Sequence, residues 1–570
     1  MTAATDAPAE KADPRLAAAA DFLDTRVGIS KIVKEFARKI FPDHWSFLLG
    51  EIALYSFIVL LISGTFLTMF FVPSMAETHY PTDALPVTMQ GVQMSEAYAS
   101  TIHMSFHVRG GLLMRQIHHW AALLFVGAMV VHMLRIFFTG AFRRPRELNW
   151  LVGFTLLIMG LLAGFSGYSL PDDVLSGNGL RIADGVAMAI PIIGSYVSFA
   201  LFGGEFPGTD IIPRLFTVHI LLVPALIVAL VAVHLFLIVW HKHTHYPGPG
   251  RTQKNVVGFP LFPVYTAKAG GFFFIVFGVI ALMGATMSIN AVWNYGPYDP
   301  SVVSAGAQPD WYMLFLEGAL RLMPGPTEYV IGGFTLSLNI LVPGVVLPGL
   351  LFTFLALYPF IERAVTKDTG EHHLLDRPRN AATRTAIGAA FISVWFVLIG
   401  AGSNDLIATH FNVSLNLITW IFRILFFVLP VVVFMVTRRI CFGLQRKDRE
   451  LALHGHETGR IVRFASGEFI EVHHPLDEYE RWVLVSHDSP APLQIDPAED
   501  ANGVARPGYK KERRWQRLSQ FFYEDRIEPV TPTELAAAQS HGEHDELPAT
   551  DEPEEIDSGE SAGQIEVRTH

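Results

Sequence analysis

Four histidines stand at spacings suited to metal ligation inside apolar sequence. In "RQIHHWAALLFVGAMVVHMLR", residues 115–135, His118 and His132 are fourteen residues apart. At 100° per residue, fourteen steps end about 40° short of four helical turns, so both imidazoles leave one face, about 21 Å apart along the axis. A hydrocarbon layer about 30 Å thick then holds one histidine towards each surface. The stretch "RLFTVHILLVPALIVALVAVHLFLIVW" answers with His219 and His234, fifteen residues apart. Fifteen steps overshoot four turns by about 60°. Pro224, between them, can kink or locally unwind the helix and absorb that mismatch. If both segments run in one direction, His118 faces His219 and His132 faces His234. Two stacked pairs of facing imidazoles are what two bis-histidine haems need. A lone intramembrane histidine serves as easily as polar glue between helices; four in register on parallel segments point to function. Zinc suits them less, because no cysteine or carboxylate lies beside them at ligand spacing.

The same register recurs in glycine. Gly50 and Gly64 are fourteen apart, as are Gly153 and Gly167. A flat macrocycle needs a gap where a side chain would otherwise sit, and glycine leaves one; ordinary small-residue helix packing is the competing explanation. Arg115 and Arg135 lie three residues outside His118 and His132. They are placed to donate charge-assisted hydrogen bonds to haem propionates.

Elements that hold such residues must cross a membrane. The 570 residues are 51% hydrophobic with a mean hydropathy of +0.35, too apolar for an ordinary soluble chain. Eight segments are long and apolar enough to span, near 46–72, 115–138, 150–168, 216–240, 270–290, 341–361, 385–402 and 415–436. Arginines and lysines cluster before the first and after the second, fourth, sixth and eighth, whereas the loop 73–108 has neither before Arg109. By the positive-inside rule both termini are expected in the cytoplasm of a multi-pass protein of the cell membrane. The start, "MTAATDAPAEKADPRL", lacks an apolar core, so no cleaved signal peptide is expected. The single cysteine, Cys441, excludes an intrachain disulfide and a thioether-linked haem, so any haem is held non-covalently.

The expected fold is an all-α polytopic membrane protein of eight transmembrane helices, with a four-helix dihaem bundle and a cytoplasmic tail. Residues 1–45 form an N-terminal segment whose "VGISKIVKEFARKIF" reads as a basic amphipathic surface helix. Residues 46–240 form the dihaem core, and 241–440 a second membrane region with a Pro/Gly-rich outer loop over 291–340. Residues 441–570 form the tail. Its "GRIVRFASGEFIEVHHPLDEYERWVLV" alternates like short strands, and its acidic end from "HGEHDELP" onward is expected to be disordered. Much of the net charge of −11 comes from that end.

With the histidines and glycines, "NWLVG" at 149–153, "GYSLP" at 167–171 and "PDWY" at 309–312, the chain resembles cytochrome b, the quinol-oxidising membrane subunit of cytochrome bc complexes. The resemblance spans about residues 30–440 and implies two non-covalent b-type haems, an outer one on His118 and His219 and an inner one on His132 and His234, with Trp150 near the inner haem. It implies an outer quinol oxidation site at Pro309, Asp310, Trp311, Tyr312, Tyr168 and Pro171, and an inner quinone site. One electron would pass to a Rieske iron–sulfur subunit and a cytochrome c subunit, the other through both haems to the inner quinone, in a homodimer.

The departures are informative. Asp310 stands where the family motif has Glu. Lys268 in "FPVYTAKAGG" matches a basic residue of the inner site, but Ala269 replaces an acid there. His241 and His243 in "WHKHTH" are candidate proton donors in its place. Leu215 occupies a usually basic position, with Arg214 beside it. A single fused chain, an Asp motif and a long tail are most similar to actinobacterial cytochrome b, which implies menaquinol, a dihaem cytochrome c partner and association with an aa3-type oxidase. Two other functions compete. A bis-haem reductase of the ferric reductase or NADPH oxidase type needs flavin and nicotinamide domains, and the tail has no G-x-G-x-x-G after a strand. A transporter relaying protons through histidines would be colourless.

Overall fold

The computed structural model describes residues 14–302, 308–325, 327–463, 466–485, 492–499, 502–523, 527–528, 530–531 and 533–538. The acidic end of the tail lies outside the described residues. Among the described residues eight helices are long and apolar enough to cross a membrane: Trp45–Thr68, Gly111–Phe138, Glu147–Tyr168, Ile211–His241, Leu261–Thr286, Leu338–Thr366, Ala382–Gly402 and Leu415–His454. All eight expected spans are present, and several are longer than their apolar core. The eighth continues through "RRICFGLQRKDRELALH", where good helix formers carry the backbone into water after hydropathy has fallen away.

The fourth span resolves the spacing mismatch. Its hydrogen bonding widens to one π turn over Val218–Leu222, where Val223 N–H donates to the Val218 carbonyl. Pro224 follows at once and cannot supply the N–H that an α turn requires there. A π bulge takes up one additional residue. The fifteen residues from His219 to His234 therefore keep nearly the phase of the fourteen from His118 to His132.

The chain divides into two compact units, Met1–Gln445 with Asp488–Arg526, and Arg446–His487 with Ile527–His570. In the first unit the first four spans surround an apolar layer that includes Phe57, Phe125, Leu156, Val223 and Ile227. Phe57 and Phe125 stack there with ring centroids 5.5 Å apart. At one end, here the loop end, lie a hairpin of Glu77–His79 with Gln93–Ser95 and the helices Glu96–Phe106, Val174–Met188, Gly194–Phe202 and Leu314–Leu322. The opposite, basic end holds a buried ion network. Arg384 grips Glu362 at 2.6 Å and Asp376 at 2.7 Å, and Arg143 reaches Asp376 at 2.9 Å.

Before the first span, Pro14–Val27 and Ile29–Ala37 are helical, with Gly28 between them at φ +64°. Ile40 and Phe41 then pair antiparallel with Pro260 and Phe259, joining the chain ahead of the first span to the chain ahead of the fifth. The tail helix Tyr509–Tyr523 packs at the basic end of the same unit, where Phe521 stacks on Phe434 at 6.2 Å.

In the second unit, His456–Arg463 pairs with Phe469–His474. The expected run of strands stops there, because Glu478–Val485 is a helix. Asp477 accepts from Glu480 N–H at 2.6 Å, a helix-starting bond that overrides the strand-like alternation of "YERWVLV".

Candidate functional site

The second and fourth spans bring the four histidines together in two pairs. The rings of His118 and His219 face each other with centroids 6.2 Å apart, and those of His132 and His234 at 6.5 Å. A metal–imidazole bond of about 2 Å on each side, plus about 1 Å from each nitrogen to its ring centre, calls for a centroid separation of about 6 Å.

Hydrogen bonds fix the loop-end pair in the tautomer that ligation needs. His219 Nδ1 lies 3.0 Å from the Ala163 carbonyl, which can only accept, so Nδ1 carries the proton. His118 Nδ1 lies 2.9 Å from Ser63 Oγ. That hydroxyl already donates to the Val59 carbonyl at 2.7 Å, so it accepts from the imidazole. Both rings keep an Nε2 lone pair free, and such outer hydrogen bonds are how proteins orient ligating histidines. Among the described residues His132 Nδ1 is buried without a hydrogen-bond partner.

Each register glycine lies against one of the four imidazoles. A Cβ added at Gly50 would come within 3.1 Å of His132, at Gly64 within 3.1 Å of His118, at Gly153 within 3.5 Å of His234, and at Gly167 within 2.4 Å of His219. The expected gap for a macrocycle edge is thus, in this structure, first a gap for the imidazole itself. The approach is tightest at Gly167, where the His219 ring occupies the space a side chain would take, and loosest at Gly153, where a Cβ would make an ordinary contact with His234.

The two arginines differ. Arg115 donates to Ser105 Oγ at 3.1 Å and the Asn290 carbonyl at 2.6 Å, which ties the second span to the loop end. Arg135 packs over the Phe47 ring at 4.2 Å and donates from Nε to Ser46 Oγ at 3.4 Å, and among the described residues its buried Nη2 has no hydrogen-bond partner. An unpartnered guanidinium nitrogen in a cavity wall fits a bound anionic group. That cavity, of about 350 Å³, is lined by His132, His234, Gly50, Gly153, Arg135 and Trp150, and reaches Tyr265 and His243. Trp150 donates to the Leu355 carbonyl at 3.0 Å. His241 is not in this wall; its carbonyl accepts from Arg146 at 3.2 Å. His243 bonds the Thr244 carbonyl at 2.9 Å, and burial pulls its imidazole down to about 4. Lys268 stands at the edge of this region, paired with Asp43 at 2.6 Å.

At the loop end, Asp310 has both carboxylate oxygens occupied. Tyr312 donates to Oδ2 at 3.1 Å, and His119 Nε2 lies 3.3 Å from Oδ1. Burial and the adjacent Asp310 carboxylate push the Tyr312 hydroxyl well above the usual tyrosine range, so it remains a donor. The ring sits where Gly164 leaves room, since a Cβ there would approach its hydroxyl to 2.5 Å. Trp311 meets Tyr312 edge-on at 5.9 Å and is 38% exposed. Pro309 precedes a backbone turn in which Met313 N–H donates to the Asp310 carbonyl at 2.9 Å. The Asp310 side chain does not cap the helix that starts at Leu314. Tyr168 is buried and donates to the Leu175 carbonyl at 3.0 Å. Pro171 is buried beside Asp173, which caps Val174–Met188. Glu317 pairs with Arg321.

Two residues that the spacing argument passed over belong to these surroundings. His119 is the chain neighbour of His118, turned 100° away from the ligating face; only the doubled histidine marks it. Glu51 is an acid inside an apolar span, which is itself a functional signal.

The chain matches the family model described as cytochrome b(N-terminal)/b6/petB over residues 123–297. It is 55% identical over 528 residues to the cytochrome bc1 complex cytochrome b subunit of Streptomyces coelicolor, covering 92% of this chain and 96% of that protein. The corresponding subunit of Mycobacterium tuberculosis is 51% identical over 484 residues, covering 85% of this chain and 86% of that protein. That of Corynebacterium diphtheriae is 48% identical over 503 residues, with 87% and 92% covered. A solved structure described as hyperthermophilic respiratory Complex III superposes with a TM-score of 0.54 at 21% identity, covering 74% of this chain and 99% of that one. That likeness is one of fold.

Proposed function

The chain belongs to the cytochrome b subunits of respiratory bc1 complexes, the quinol:cytochrome c reductases, and from that premise we propose that it oxidises menaquinol at its loop end and reduces a quinone at its basic end. In this reading His118 and His219 hold the outer b-type haem and His132 and His234 the inner one. The loop end faces outward and both termini are cytoplasmic. The carrying observation is the pair of facing imidazole couples with ligand-like separation. Bound haems supply one-electron transfer between the two ends.

The chain's own residues do the rest. Asp310 accepts a proton from the quinol hydroxyl as electrons leave, the task of a positioned general base. Tyr312 stays protonated and fixes one Asp310 oxygen, so the base is held ready. Tyr168, Pro171 and Trp311 shape the walls. At the other end Arg135 Nη2 would bind a haem propionate, Trp150 packs the wall, and Lys268 stands at the edge of the inner quinone site. Electrons leave the outer site to a Rieske iron–sulfur subunit and a dihaem cytochrome c subunit, in a homodimer associated with an aa3-type oxidase. Close similarity to actinobacterial subunits supports menaquinol and these partners.

A nucleotide-driven haem reductase would need a parallel βαβ sheet in the tail. Among the described residues the tail's strands make a two-stranded antiparallel hairpin. The deciding test is a reduced-minus-oxidised spectrum with pyridine haemochrome analysis of the purified subunit, followed by turnover with menaquinol and ubiquinol analogues. Two b haems per chain and preference for menaquinol are expected. One haem or none would refute the ligand assignment, and preference for ubiquinol would refute the substrate.

A further inference from the structure

Glu51 follows Gly50 in the first span and lines the cavity that contains His132 and His234. One turn on, Tyr55 donates to its Oε2 at 3.0 Å. From the fifth span Tyr265 donates to Oε1. A carboxyl group at this depth is costly in an apolar span unless it has partners and a use, and here two phenols on two spans hold it against a cavity.

Further protonatable groups lie close to that carboxyl group. The short pairing of Ile40–Phe41 with Phe259–Pro260 stacks Phe41 on Tyr265 at 4.6 Å. It also brings Asp43 to Lys268, Nζ to Oδ2 at 2.6 Å, with side chains 57% and 51% exposed. Lys268 is one helical turn further into the fifth span than Tyr265, and its Nζ lies back over the Phe259 ring at 4.6 Å, towards the start of that span. Tyr265 and Glu51 line the cavity, and the exposed Asp43–Lys268 pair lies outside its lining. The facing walls carry Arg135, Arg146, Lys242 and His243. His243, neutral through burial, holds no proton in reserve at pH 7.

We propose that Glu51 is the proton donor to the quinone reduced in this cavity, and that Asp43 and Lys268 form its entry from the aqueous side. The proposal rests on the inner quinone site of the reading above. One quinone takes up two electrons, which come from quinol oxidised at the loop end, and two protons. The Glu51 carboxyl O–H breaks as an O–H forms on a quinone oxygen. The carboxylate then takes a proton from water through the Tyr265 hydroxyl and delivers the second in the same way. Ala269, which leaves its own position without an acid, is compatible with a donor supplied from the first span.

The test uses the intact complex. Rapid-mixing kinetics follow quinol-driven reduction of the cytochrome b haems and their re-oxidation by quinone. In parallel, infrared difference spectra of wild type and E51Q, in light and heavy water, monitor the protonated carboxyl stretch. Expected in E51Q is normal haem content and reduction, re-oxidation slowed at least about tenfold, the low end of what a proton-transfer group contributes, and loss of a carboxyl band seen in wild type. E51D should recover part of the rate, and D43N should slow it less than E51Q. Re-oxidation within about twofold of wild type, with the band unchanged, would make Glu51 a strut between two spans and overturn the proposal. If E51Q fails to assemble, the wild-type band decides alone: absence of a carboxyl change on quinone reduction refutes the donor. Absence of any quinone-dependent re-oxidation in wild type would instead overturn the inner quinone site, and the donor with it.

Discussion

His119 Nε2 lies 3.3 Å from Asp310 Oδ1, so the residue next to a proposed haem ligand holds the carboxylate of a loop 191 positions further along the chain. Asp is one methylene shorter than the Glu usual in this motif. The histidine meets it from the second span, and Tyr312 meets its other oxygen at 3.1 Å. The carboxylate is therefore fixed at both oxygens, with its side chain only 20% exposed. That is the geometry of a group oriented for proton transfer, and it differs from the helix-capping role that an acid after proline often takes.

Asp310→Asn retains size and both neighbours but removes the base. Quinol-to-cytochrome turnover should fall at least about tenfold, with both haem spectra intact. Tyr312→Phe should cost less, because His119 still holds one oxygen. Steady-state reduction of cytochrome c by a quinol analogue measures both. Near-normal turnover in Asp310→Asn across pH would move the base elsewhere, with Glu317 and Asp172 next in line.

Haem stoichiometry tests the histidine pairs separately. His132→Leu or His234→Leu should leave about one haem per chain, since each pair would hold its own haem and either change would remove one of that haem's two protein ligands. Pyridine haemochrome analysis gives the count. A full complement of two in either variant would mean that the facing rings are not the ligands.

The glycine contacts are graded, so their substitutions should be too. Gly167→Ala drives a methyl to 2.4 Å from His219, whereas Gly153→Ala brings one to 3.5 Å from His234, an ordinary contact. Gly167→Ala should therefore perturb the outer haem spectrum and lower haem content, while Gly153→Ala should be close to neutral; overpacking in a tight core costs about 1–3 kcal/mol. Equal effects of the two changes would show that the spacing reflects helix packing in general.

Much of this arrangement is legible in the sequence. Apolar run length gave the eight spans, and helical phase paired His118 with His219 and His132 with His234. The fifteen-residue spacing could be blamed on Pro224, but not the form of its remedy, because a π turn depends on which carbonyl the displaced N–H finds. The glycine register is visible in the sequence, and the structure adds that each glycine lies against one of the four imidazoles. Contacts such as His119 with Asp310, or Asp43 with Lys268, carry no local period. They depend on tertiary packing between segments about two hundred residues apart, which pattern alone does not encode. The strand reading of "YERWVLV" failed because a capping bond at Asp477 outweighed alternation.

Asp172 offers a pH test at the loop end. It is buried, sits at φ +55°, and its carbonyl accepts from Tyr298 N–H at 3.0 Å. Burial pushes its carboxyl up to about 6, with the Ser95 hydroxyl pulling down and the neighbouring Asp173 adding a smaller upward push. Because the folded value lies above the ordinary carboxylate value of about 4, folding takes up a proton. Stability linked to this group is full below about pH 4 and is lost as pH rises through about 6. A two-unit difference corresponds to at most about 3 kcal/mol. Asn tolerates positive φ as well as Asp does and carries no charge, so Asp172→Asn should match wild type in thermal stability near pH 4 and exceed it at pH 8. Melting of the detergent-solubilised complex, followed by loss of the haem spectrum at both pH values, measures the difference. A stability change of the same size at both would mean that Asp172 ionises in the fold as freely as in water, and that its backbone conformation, not its charge, is what the loop requires.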